Sequence, residues 1–493
     1  MSGEIGVAAG DRVLEIYLLS QRFERCRNQL LRSTATFAGI SLLVGAGLIG
    51  LRLSNSRLHW ADDSSASSLA QLSGVLILLQ SFRGDPNRAV PSLWAERLGV
   101  QPATDLWRRY GRSIWWQGWS QDGDAYLILA SSTFLPEVDG LQRQSVGSIE
   151  VLASHALHRQ QLLQRLKTNP VLKTSVHSDT LWGSCLQALS EGPAVIWNAD
   201  ALATLSGTLA PLLQQGREGC VQLRLQANQL LWQGVIGRRP LSSLTLRSSL
   251  TSSGSIEASS KQSSTDTTSS DLTLLQVDGD RVDLILGTLL SREIIQAPLE
   301  EHYGINGAMR RKIADLPFSL RLQRRASGAY KAGLQVQMPL TGSRQQWTTI
   351  LNAVSDRLAS RGFQKLQEDR LSPERKTPSL WQRRDDPDST TVGGWLIIQG
   401  QKAPVLSIGF GTEPAAQTFL STLLPQNRVS LRVTGDPKGL TRLGLLGGLW
   451  PKPVQRASSL NMEIKPLKNS GGSKLSRQSW WRVNGSLTLT PDS

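Results

Sequence analysis

The sequence predicts an α+β protein: one N-terminal transmembrane helix, then a mixed or antiparallel-sheet body of strand–helix units in an arrangement that reads as a duplication. Three observations predict it. Nineteen uncharged residues, Ser33 to Leu51, lie between Arg32 and Arg52. After them an apolar strand, a small or polar cap and an amphipathic helix recur in that order. Asp-Gly and Asn-Gly pairs interrupt the remaining apolar runs, as hairpin turns do.

Residues 1–32 open the chain as a cytoplasmic amphipathic segment. In DRVLEIYLLSQRFERCRNQLLR, Ile16, Leu19, Phe23, Cys26 and Leu30 form a helical stripe barely two heptads long. It is expected to lie on the inner leaflet with its arginines near anionic lipid; self-association is the alternative.

Residues 33–51 follow as a signal anchor. Within them GAGLIG, Gly45 to Gly50, fits the dinucleotide pattern G-x-G-x-x-G. That pattern needs an amphipathic helix after the glycines and an acid at the end of a second strand. LRLSNSRLHWADDSS supplies neither. Nineteen mostly apolar residues do span a hydrocarbon core of about 30 Å. Arg22, Arg25, Arg27 and Arg32 precede the span, whereas only Arg52 and Arg57 lie close behind it. The positive-inside rule therefore places the N-terminus in the cytoplasm and the body outside a cytoplasmic or thylakoid membrane. No A-x-A cleavage site follows, so the anchor is expected to stay.

The body divides at 248–270, where fifteen of twenty-three residues are Ser or Thr. Such a run buries too little apolar surface to offset its ordering entropy. The expected organisation is an α+β domain over 65–245, a Ser/Thr-rich disordered linker over 246–271, and a second α+β domain over 272–493. Strand–helix units read at 74–99, 193–213, 334–362, 404–425 and 429–451. Asp85-Pro86 and Asp436-Pro437 look like N-cap acids before proline at the first helical position. Trp347, Ile350, Leu351, Val354 and Leu358 mark one helical face, and Gly362 its stop. Hairpin turns are predicted at Asp122-Gly123, Ala227-Asn228, Asp278-Gly279 and Asn484-Gly485. Each half then closes with a tryptophan-bearing hairpin, LLWQGVIG and WWRVNGSLTL. GDPN and GDPK occur in similar caps, but at different places within the halves.

The single span, the strand–GDPK–helix unit and the closing WWRVNGSLTL resemble uncharacterised single-span envelope proteins of cyanobacteria. The resemblance covers most of 33–490. It implies an envelope location and no particular chemistry.

Net charge is +15. The arginines are scattered in RRYGR, GRR, MRRK and LQRR, and no nucleic-acid module accompanies them, which disfavours a nucleic-acid partner. Proximity to anionic lipid accounts for the charge. Of three cysteines, Cys185 and Cys220 fall on the outer side, where they either pair or remain buried thiols. His155 and His158 stand at i, i+3; a metal would need Glu150 or His177 as well, and the plainer reading is two polar surface residues. QDGD (121–124) and DGDRVD (278–283) begin like calcium loops but lack the closing glutamate, so turns explain them. The common phosphate-loop, zincin, thioredoxin, penicillin-binding and α/β-hydrolase signatures are missing from the chain. No cofactor is expected.

Tryptophan is the unusual usage: fifteen, against eight Phe and five Tyr. Trp115, Trp116, Trp119, Trp480 and Trp481 lie in strand-like runs, where neighbours face opposite sides. One of each pair is thus a candidate for stacking on a sugar or touching a membrane; edge packing is the alternative. Three functional readings follow. The first is a non-enzymatic membrane-anchored binding or scaffold protein, its partner an envelope protein or a glycan. The second is an envelope enzyme acting on glycan or peptide. The third is a carrier of lipid or another apolar ligand.

Overall fold

The computed structural model describes residues 63–135, 140–168, 181–198, 216, 218–237, 273–284, 293–326, 330–340, 343–366, 378–385, 391–400, 403–420, 429–446, 452–467 and 480–490. The amphipathic segment, the anchor, Cys26, His177 and the Ser/Thr-rich linker lie outside them. No helix among the described residues is long and apolar enough to cross a membrane.

The chain is α+β. Its first half runs α1 (Asp63–Ser73), β1 (Leu78–Arg83), α2 (Ser92–Leu98), α3 (Val100–Tyr110), β2 (Ile114–Trp119), β3 (Ala125–Ala130), β4 (Arg143–Val146), β5 (Ile149–Leu152), α4 (Ala156–Thr168), α5 (Leu181–Glu191), β6 (Ala194–Trp197), β7 (Glu218–Gln226) and β8 (Gln229–Gly237). Its second half runs β9 (Thr273–Gly279), α6 (Glu293–Tyr303), α7 (Gly307–Ala314), β10 (Phe318–Arg324), β11 (Ala332–Pro339), α8 (Arg344–Ser360), β12 (Phe363–Lys365), β13 (Ser379–Arg383), β14 (Gly393–Ile398), β15 (Val405–Phe410), β16 (Leu431–Gly435), α9 (Pro437–Arg442), α10 (Lys452–Arg456), β17 (Ser459–Pro466) and β18 (Trp480–Thr488).

All described pairings are antiparallel, and they join the strands into one open sheet. The first half contributes the order β4-β5-β3-β2-β1-β6-β7-β8. β8 then pairs along its whole length with β18. The second half continues β18-β17-β16-β9-β10-β11-β15-β14-β13-β12.

Read outward from the β8–β18 seam, both halves place the chain-order strands alike. A closing hairpin partner comes first, then β6 or β16, then the opening strand, then a hairpin. One backbone contact fixes the register of this equivalence. The Asn198 N–H, after β6, donates to Ile77 O at 2.9 Å, and the Asp436 N–H, after β16, donates to Leu274 O at 2.8 Å. Ser81 thus corresponds to Asp278, and Gln233 to Asn484, which face each other at the centre of the seam. GDPK follows β16, whose counterpart is β6. GDPN follows β1, so the two motifs are not equivalent.

The sheet has a back face and a front face. On the back, Trp94 of α2 and Trp107 of α3 pack on Phe82, Trp115 and Leu127 of the first-half sheet. In the second half Trp347, Ile350 and Leu351 of α8 and Met309 of α7 pack on Met338 and Leu406. On the front, α1, α4 and α5 cover the first half, where Leu69, Leu72, Leu162, Leu186 and Leu189 meet Leu79, Trp116, Ile128 and Val151. A disulfide between Cys185 of α5 and Cys220 of β7, with Cα atoms 5.9 Å apart, ties this layer down. The first half is therefore three layers thick.

Several local expectations hold. Asp122-Gly123 turns between β2 and β3, with Gly123 at φ 86°. Ala227, at φ 50°, turns between β7 and β8. Asp436 caps α9, its Oδ1 accepting from Gly439 N at 2.9 Å, with Pro437 at the first helical position. Gly362 follows α8 at φ 85°, while the cap at its other end, Ser343, is not among those expectations.

Others are corrected. Asn484-Gly485 is no turn; it lies in the middle of β18, because β8 and β17 both need a long partner. Asp278-Gly279 ends β9, and Val282 turns into a core cluster instead of starting a return strand. Asp85 caps a tight turn, accepting from Asn87 N at 3.0 Å, while α2 begins later, at Ser92. After β15 residues 411–420 are not helical; the rest of that expected helix lies outside the described residues.

Candidate functional site

The five tryptophans do not form the site. Trp115, Trp116, Trp119, Trp480 and Trp481 are 2–8% exposed. Neighbours in a strand face opposite sides, but here both sides are covered. Trp115 stacks on Phe82 at 4.5 Å beneath the back helices, and Trp116 donates through Nε1 to Leu189 O of α5 at 2.8 Å. Trp480 joins the front core and Trp481 lies beside Ile236 across the seam. None offers a face for stacking.

The histidines gather no metal set; no three His, Cys, Asp or Glu groups among the described residues could hold one. Instead His158 Nδ1 meets Asp124 Oδ2 at 3.0 Å and Ser154 Oγ at 2.6 Å, while Ser154 Oγ also donates to Asp124 Oδ1 at 2.9 Å. A nucleophilic relay needs serine and carboxylate on opposite ring nitrogens. Both sit on Nδ1 here, so the trio braces the β2–β3 turn against α4. Nearby, burial and Asp124 push the Tyr126 hydroxyl up to about 12.

What distinguishes the molecule is the front face of the second half. Strand alternation builds it. In β10, FSLRLQR, the residues Phe318, Leu320 and Leu322 face back, while Ser319, Arg321 and Gln323 face front. In β9 Gln276 and Asp278 face front, in β16 Arg432 and Thr434, in β17 Asn461, Glu463 and Lys465, and in β11 Gln335 and Gln337. Over β10, β11, β15 and β16 the first-half equivalents are apolar or small: Trp116 for Ser319, Ile128 for Gln337, Gly118 for Arg321, Val151 for Ser407, Ala194 for Arg432. On β17 they are polar in both halves, Gln222 for Glu463 and Arg224 for Lys465. Among the described residues α9 packs on its margin at Leu274, and the segment 411–420 crosses its centre.

The central part is closely bonded. Ser319 Oγ donates a short hydrogen bond to Asp278 Oδ1, and Gln276 Nε2 donates to Asp278 Oδ2 at 2.8 Å. Gln337, fully buried, holds the crossing segment. Its Nε2 donates to Gln417 O at 2.8 Å, and its Oε1 accepts from Phe419 N at 2.7 Å, as a pairing strand would. Gln335 Nε2 donates to Glu413 O at 3.1 Å. Phe419 then lies over Arg321, with the guanidinium carbon 4.2 Å from the ring centroid. Burial lowers the Arg321 pKa, and Asp278 offsets this only in part; Arg321 Nε is buried and meets no acceptor among the described residues.

Asp278 and Asp280 stand two residues apart, about 7 Å along a strand. Burial raises Asp280 above the usual carboxylate range despite a Ser430 hydrogen bond. Two carboxyl groups at that spacing suit glycoside hydrolysis. Here both Asp278 oxygens are occupied and the residue is 4% exposed, so it is placed to hold the sheet rather than a substrate.

Comparison with known proteins returns no matching family model, no similar curated protein and no similar solved structure.

Proposed function

We propose that this chain is a membrane-anchored extracytoplasmic binding or scaffold protein. It presents to a partner the β16–β18 part of the front face of its second half, where Arg432, Asn461, Glu463, Lys465 and Arg482 are half-buried or exposed. One observation carries the reading. At equivalent positions over β9, β10, β11, β15 and β16 the first-half face is apolar or small and roofed by helices, whereas the second-half face carries Ser, Arg, Gln and Asp. The latter is buried at its centre and continues into exposed Asn461 and half-buried Glu463 and Lys465 on β17. Burial drives folding through apolar contacts. A polar face of this extent adds little to that drive, and it suits a hydrogen-bonding partner such as an envelope glycan or protein surface.

The shared strand order supports reading the body as a duplicated unit, one copy kept for stability and one turned to recognition. The disulfide supports an oxidising compartment, hence a body outside the cytoplasm. The uncharged run 33–51 supports the anchor, and its resemblance to cyanobacterial envelope proteins points the same way. The test uses intact cells. In chain acid-quenched from those cells and then denatured, a thiol reagent should label Cys185 and Cys220 only after reduction, and a reporter placed after residue 60 should be extracytoplasmic. A cytoplasmic reporter with both thiols free before reduction would overturn the reading.

A further inference from the structure

The front face is most cationic where β16, β17 and β18 lie side by side. Arg432, Lys465 and Arg482 surround one carboxylate, Glu463. Arg432 is directly across from Glu463, Lys465 is two residues along the same strand, and Arg482 is directly across from Lys465. Directly opposed residues have Cβ atoms about 5 Å apart, and diagonal ones about 7–8 Å. Arg432 donates to Glu463 Oε1 through Nη2 at 2.9 Å and Nε at 3.1 Å, and Lys465 Nζ lies 2.8 Å from Oε2. Both oxygens are thereby engaged. Burial alone would raise this carboxyl, but Lys465 and Arg432 outweigh it and hold the group below its ordinary range.

Nothing is left for Arg482. Its Nε is buried and meets no acceptor among the described residues. It also faces Lys465 squarely, a like-charge pair that is unfavourable in a sheet unless an anion lies between. On the far flank of Arg432, Asp278 already has both oxygens bonded. Asp280, the next acid in the row of Lys465, stands beyond Ser430, two strands away. In the first half the same four positions hold Ala194, Gln222, Arg224 and Leu231, so the cluster belongs to the second half alone.

We propose that Arg482 and Lys465, flanked by Arg432, form a site for a phosphate-type oxyanion. Guanidinium and ammonium donors converging from adjacent strands match the several acceptor oxygens of such a group. This rests on the front face being the binding surface, and narrows its ligands to those that carry phosphate, whether free or on a lipid headgroup.

Equilibrium dialysis of the full chain in zwitterionic detergent against radiolabelled inorganic phosphate tests it. One saturable, salt-sensitive site is expected. Arg482→Gln should weaken it tenfold or more while leaving the melting temperature unchanged. Lys465→Gln should weaken it as much but with some loss of stability, because it also frees Glu463, and Arg224→Gln should leave it intact. No saturable binding, or equal binding by a folded Arg482→Gln chain, overturns the site. With the site present, reconstitution into discs with and without phosphatidylglycerol separates the sources. Loss of phosphate binding in anionic discs only would assign the site to a headgroup, and retained binding would assign it to free phosphate. Failure of phosphate binding while front-face cross-links persist removes this site alone; phosphate binding without such cross-links leaves the site and removes the wider reading.

Discussion

Single side chains decide whether the front face of the second half is shaped or merely wet. Gln337 is the pivot, since its amide takes the place of a strand for residues 417–419. Replacing it by alanine leaves the Phe419 N–H and Gln417 carbonyl without these partners. Gln337→Ala should destabilise the chain by about 1–3 kcal/mol, and limited proteolysis should cut first within 411–420. Unchanged denaturation and cleavage would show that the segment is held by other means. Asp280 acts oppositely. Its folded pKa is raised, so its ionisation opposes folding as pH climbs from the unfolded value of about 3.9 through the folded one. Asp280→Asn should therefore be more stable than the parent at neutral pH and equal to it below about pH 3.9. Paired thermal melts across that range check the sign; a variant less stable at neutral pH would refute it.

Elements meet most closely at the seam, where two glycines let β8 lie between β7 and β18. A Cβ on Gly485 would fall 2.2 Å from the Trp232 ring, and one on Gly234 would fall 1.9 Å from the Cys220 carbonyl oxygen. A ring can turn, whereas a backbone oxygen in a ladder cannot. Both alanine variants should lose stability, by roughly 1–3 kcal/mol, with Gly234→Ala the worse. Chemical denaturation gives the order, and the reverse order would contradict the packing described. This seam also explains the misread Asn484-Gly485. An Asn-Gly pair between apolar runs is a strong local turn signal, but Gly485 serves to admit Trp232. The signal was local and its use was tertiary. By contrast Asp436-Pro437 and Gly362 act within one turn of chain, and their roles were legible.

At the scale of the molecule, the α+β class and the antiparallel hairpins were legible because alternation and turn residues are short-range. The joining of both halves into one sheet was not, since it rests on β8 and β18, some 250 residues apart. The tryptophans misled for a related reason: paired Trp on a strand suggests one wet side, and only the helices α2 and α3 behind and α5 in front reveal that both sides of Trp115-Trp116 are dry. The candidate surface was partly legible. FSLRLQR, SLRVTG and NMEIKP alternate cleanly, whereas the first-half runs VLILL and AYLILA are apolar throughout. That contrast marks a polar front face in the second half, although VQLRLQ of β7 alternates in the same way. The direct test is site-specific photo-cross-linking in intact membranes. A photoreactive residue at the exposed Asn461 on the front should capture a discrete partner or glycan, while one at Gln226 on the first-half end of the same face and one at Arg357 on α8 should not. Equal labelling from all three positions, or none from Asn461, would contradict the account.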